Sequence, residues 1–61
     1  MPEYVVKVPG FPDSVREGKT VAKVRFKVAT ILHECSYYRT VGDALKATVV
    51  HLRRVEVMHD H

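Results

Sequence analysis

The sequence predicts an α+β domain, with a small antiparallel or mixed sheet in the order β-ββ-α-β and one helix packed on one of its faces. Three observations lead there. Twelve of the 61 residues are valine, whose branched Cβ suits a pleated surface better than a helix. Apolar residues alternate with period two over 4–8, 22–28 and 54–58, which is the spacing of a half-buried strand. At Thr40 the period changes to 3.6, that of an amphipathic helix.

In chain order, Tyr4, Val6 and Val8 share one face and Val5 and Lys7 the other, giving a strand over 4–8. Pro9-Gly10-Phe11-Pro12-Asp13 stops it, because neither proline can donate a ladder hydrogen bond. A long mobile loop is expected over about 9–19, with Phe11 and Val15 available to pin it. Ala22, Val24, Phe26 and Val28 then alternate with Lys23, Arg25 and Lys27, predicting a strand over 21–32. His33-Glu34 makes a hairpin tip and 35–39 the returning strand, with Tyr37 and Tyr38 on opposite faces. A helical reading of 21–34 stays open, since Val21, Val24, Val28, Ile31 and Leu32 also share a helical stripe. That reading gives a ribbon-helix-helix-like chain with 4–8 as its ribbon. Thr40 followed by Asp43 starts a helix over 41–52, with Val41, Ala44, Leu45, Thr48, Val49 and Leu52 on its apolar stripe. A strand over 54–58 and a flexible tail at 59–61 complete the chain.

Length confines the chain to one small domain, 1–61. A core this small is marginal, and the single cysteine excludes an intrachain disulfide and a cysteine-based zinc site. A homodimer or a partner is therefore expected to supply the missing stability. No apolar run reaches the ~20 residues that span a bilayer, and Met1-Pro2-Glu3 opens no secretory signal. A cytoplasmic protein without membrane contact is expected. The net charge of +3 suits a phosphate backbone, an acidic protein surface or solubility alone.

No catalytic set is visible, and no cofactor or metal site is expected. Cys35 lies two residues from His33 with no third group to orient a base, so it reads as a small apolar side chain. His59 and His61 flank Asp60 on a tail that does not preorganise a metal site. His33 and His51 read as surface histidines. Gly10, Gly18 and Gly42 are isolated, and none belongs to a phosphate-binding loop. The ordered charge feature is Lys23, Arg25 and Lys27 along one face of the strand 22–28, with Tyr37, Tyr38 and Arg39 on its neighbour. These six residues are the candidate partner-binding set. Their plainest reading is the solvated outer face of a one-sided sheet; the functional readings are an acidic protein surface or nucleic acid, with the tyrosines stacking on unpaired bases. Arg53 and Arg54 read as cations at the negative end of the helix.

The run Tyr37-Tyr38-Arg39-Thr40-Val41-Gly42-Asp43-Ala44-Leu45, followed by Arg54-Val55-Glu56-Val57, resembles small phage-encoded host-takeover proteins, the T7-type inhibitors of bacterial RNA polymerase. It covers less than half of the chain, and no functional residue is carried over from it. The resemblance implies a non-enzymatic regulator that blocks a larger host machine by occupying its surface. The open helical reading is similar instead to ribbon-helix-helix DNA-binding dimers, with Lys7 as the ribbon's single basic residue. The leading expectation is a small regulatory protein that binds a protein partner with an acidic surface; the alternative is a small basic nucleic-acid-binding protein.

Overall fold

The computed structural model describes residues 1–54. Strand β1, Glu3–Lys7, forms where the alternation predicts it, and buries Tyr4 and Val6 while Lys7 stays in water. Val8, just past its end, joins them in the core. Gly10, at φ +83°, turns the chain in the left-handed region that favours glycine, and the Phe11 N–H donates to the Val8 carbonyl at 3.0 Å. The chain then returns as β2, Ser14–Glu17, antiparallel to β1 with Tyr4 opposite Arg16 and Val6 opposite Ser14. The segment expected to be a loop therefore contains an edge strand, whose four residues are all exposed. Burial could not announce it.

Residues 21–32 are helical, a correction to the strand predicted there. Helix α1 spans Val21–Glu34, and the extended Thr20 caps it by accepting the Lys23 N–H on its hydroxyl at 3.1 Å. Both periods are written in this stretch. The helix buries Val24, Val28, Ala29 and Leu32 together, whereas the strand would bury Phe26, which is 57% exposed. A twelve-residue strand would also outrun both its five-residue partner and the usual strand length.

His33-Glu34 is accordingly the last turn of α1, and 35–39 is not a strand. Cys35 ends the helix and Ser36 adopts φ 65°. The Ser36 N–H donates to the His33 carbonyl and the Tyr37 N–H to that of Leu32, both at 3.0 Å, the pairing of a Schellman helix exit.

Helix α2, Val41–Ala47, starts where predicted, with the Thr40 hydroxyl accepting the Asp43 N–H at 3.0 Å. It stops five residues short of the predicted end. Thr48, Val49 and Val50 are β-branched, costly in a helix and favourable in a strand, and Thr48 is already extended at φ −87°, ψ 121°. Its hydroxyl and N–H both donate to the Ala44 carbonyl, at 2.7 and 3.0 Å, which seals the helix end in the core. Strand β3, Val49–Leu52, follows and pairs antiparallel with β1, Val6 opposite Val50.

The result is an α+β fold of element order ββααβ, with a three-stranded antiparallel sheet ordered β2-β1-β3. The predicted order β-ββ-α-β is corrected accordingly. β1 is the central strand, so it is not the free ribbon of a ribbon-helix-helix chain. Tyr4, Val6 and Val8 pack with Val24, Val28, Ala29 and Leu32 of α1 and Ala44 of α2 in one core, closed at its margin by Tyr38, Val41, Leu45 and Val50. The predicted strand 54–58 and tail 59–61 fall outside the described residues, except for Arg54, which is not in a strand.

Candidate functional site

The helix redistributes the predicted basic face. Lys23 and Lys27 lie one turn apart and exposed on α1, but Arg25 turns toward α2. Its Nε donates to the carbonyls of Leu45 at 3.0 Å and Thr48 at 3.2 Å, and its Nη2 donates to Leu45 as well at 2.6 Å. Carbonyls at a helix C-terminus lack intrahelical partners and carry the negative end of the dipole, so the guanidinium there is structural. Arg25 leaves the candidate surface.

The other strand-based assignments change in the same way. Tyr38 is half-buried against the core, and its carbonyl lies 3.1 Å from His33 Nδ1. A carbonyl only accepts, so the ring's Nδ1–H donates, and His33 ties the helix exit to the chain leading into α2. Tyr37 is exposed but rests edge-on against Phe11, ring centres 4.9 Å apart at 87°, a favourable aromatic geometry. Arg39 is exposed and lines neither of the depressions beside α1.

Two cations the sequence reading passed over join Lys23 and Lys27. Arg16 on β2 and Lys19 on the link to α1 line a shallow groove of about 460 Å³ together with them. Among the described residues, Glu17 is the single carboxylate at its wall, against four cations. At Gly18 a Cβ would overlap Val24 Cγ2; the absent side chain lets the end of β2 approach the N-terminal turn of α1. Arg16 has the same parity as Tyr4 and Val6, so it points to the helix side of the sheet.

Arg16 also lines the adjoining depression, about 260 Å³, in which Phe11, Pro12, Ile31 and Tyr37 present apolar surface and Cys35 lies at the wall. The two form one trough between β2 and α1, cationic toward Gly18 and apolar toward Cys35. Such a trough exists because β2 continues the sheet beyond the reach of the helices, whose packing centres on β1, β3 and each other. Arg16 and Lys19 were legible only as members of a loop; an alternation of four residues in an all-exposed strand carries no burial signal.

Among the described residues, no three His, Cys, Asp or Glu side chains group so as to hold a metal ion, and no helix is long and apolar enough to cross a membrane. Every buried side-chain polar atom among them has a hydrogen-bond partner. Compared with protein-family models, with curated proteins and with solved structures, the chain matches none.

Proposed function

We propose that the protein is a small non-enzymatic regulatory module that binds the acidic surface of a larger protein and acts by occupying it. The observation that carries this reading is the convergence of Arg16, Lys19, Lys23 and Lys27, from a strand, a link and a helix, on one groove that Glu17 also lines. Opposite charge steers encounter and selects among partners. The continuation of the groove into Phe11, Ile31 and Tyr37 favours a protein over nucleic acid, because a backbone charged at every nucleotide would lay phosphates along the apolar half. Occupancy of a host machine's surface is also what the resemblance to phage-encoded polymerase inhibitors implies, and this reading puts the protein in the cytoplasm.

The test is paired capture from a bacterial lysate with the natural protein and with a Lys19→Glu, Lys23→Glu, Lys27→Glu variant. A stoichiometric protein retained by the first and lost from the second is the expected outcome. Micromolar binding of DNA or RNA oligonucleotides by the natural protein, lost in the variant and without such a partner, would replace this reading with the nucleic-acid one.

A further inference from the structure

We infer that the protein takes its partner as an extended segment, acidic first and apolar after, which adds antiparallel to the free edge of β2 as a fourth strand. This rests on the reading of the trough as the partner's site, and supplies the conformation, direction and composition of what lies in it.

The first support is the edge itself. Among the described residues, the order β2-β1-β3 leaves one side of β2 without a paired strand. Gly18 donates its N–H to the Pro2 carbonyl at 3.2 Å, and bonded pairs alternate along an antiparallel ladder. Within the register, Arg16 and Ser14 are therefore the residues that bond to Tyr4 and Val6. The N–H and C=O of Val15 and Glu17 face outward. Open edges of this kind are templates for another chain, and natural proteins usually blunt them. Here the edge borders a shaped trough, and an extended peptide adding to a sheet edge gains main-chain hydrogen bonds while pockets read its alternate side chains.

The second support is the parity and polarity of the trough. A strand beside β2 sends every second side chain to the face that carries Ser14 and Arg16, over the space along α1. β2 runs from the apolar end, at Pro12 and Ser14, to the cationic end, at Glu17 and Gly18. An antiparallel addition enters at the cationic end, which sets acidic side chains near its N-terminus against Lys19, Lys23 and Lys27. Apolar ones follow, against Phe11 and Ile31. Antiparallel pairing continues the pattern of the sheet and is the slightly more stable choice per residue. A second copy of this chain is a poor occupant, since its own β2 would bring another Arg16 into a cationic groove.

The probe is a capped octapeptide whose alternate residues read Glu, Glu, Val, Leu from the N-terminus with threonine between. It is compared with the same peptide in reversed residue order and with two versions N-methylated on alternate amides of opposite parity. Calorimetry measures affinity, and amide hydrogen exchange followed by NMR reads the edge. The expected result is that exchange of the Val15 and Glu17 amides slows at least tenfold when the peptide is saturating. One N-methylated version and the reversed peptide should bind at least tenfold more weakly, and the other version as the parent does. Val15→Pro removes an outward N–H without touching the ladder to β1, and should weaken binding at least tenfold; if it does not fold, the methylated peptides decide. Equal binding by all four peptides overturns strand addition and leaves charge-guided docking in place. Absence of binding by any acidic peptide, with single-stranded oligothymidine bound instead, overturns both. A wild-type dimer in sedimentation that Val15→Pro dissociates gives the edge to a second copy and overturns the inference.

Discussion

Arg25 shows how neighbouring cations serve two ends within one turn of helix. Lys23 and Lys27 keep their charges in water, where they can meet a partner, while Arg25 spends its guanidinium on the Leu45 and Thr48 carbonyls. Hydrogen bonds from charged donors are worth about 1.5–3 kcal/mol each when buried, and the half-exposed position of Arg25 lowers that figure. Arg25→Ala is expected to destabilise the fold by about 1–2 kcal/mol, whereas Lys23→Ala should change stability by less than about 0.5 kcal/mol, as exposed substitutions do. Urea unfolding followed by circular dichroism measures both. Binding sorts them in the opposite sense: the folded fraction of the Arg25 variant should keep its affinity for the acidic peptide, and the Lys23 variant should lose part of it. Equal loss of affinity in the two would return Arg25 to the binding surface.

At the scale of the element, the caps were legible and the ends were not. Thr40 and Asp43 announced α2 because capping is a local act of one side chain on a backbone two or three residues away. The exit from α1 is equally local, but its signal is faint. Ser36 stands at φ 65° in the position that glycine usually takes, and a serine there costs about 1 kcal/mol of left-handed strain. Ser36→Gly is therefore expected to stabilise the protein by about 0.5–1 kcal/mol, seen as a higher urea midpoint with an unchanged slope. A destabilised variant would show that the serine side chain makes a compensating contact. The strand predicted over 35–39 failed for the same reason: without glycine or proline, nothing in Cys35-Ser36-Tyr37 marks the left-handed turn. In α1 two periods coexist, and burial of Val24, Val28, Ala29 and Leu32 together, with Thr20 capping the first turn, settles on the helix.

For the whole molecule, size governs. The core has eight buried apolar residues among those described, two of which, Ala29 and Ala44, contribute little beyond a methyl group. A core of this size rarely supplies more than about 3–5 kcal/mol, and truncating a buried leucine costs about 2–5 kcal/mol. Leu32→Ala, which truncates the one leucine of α1, is expected to leave a large share of the molecules unfolded at 37 °C. Thermal circular dichroism should show the transition moving to or below that temperature. A variant that still melts far above it would point to stabilisation from outside this core, of the kind that self-association provides.

The class of the fold, the strand at β1 and the start of α2 are legible along the chain, because alternation and capping are encoded by neighbours. The sequence also named Lys23 and Lys27 as cations that remain in solvent. Packing between elements set the rest. Whether 21–34 is helix or strand depended on which pattern could bury its apolar side chains against β1, and that choice moved Arg25 off the surface and onto α2. Thr48 to Leu52 left the helix because β1 offered an edge to pair with. Arg16 and Lys19 became part of a trough only when the hairpin folded back and Gly18 let β2 approach α1. Their proximity to Lys23 and Lys27 is a property of packing between elements, and no period in the sequence records it.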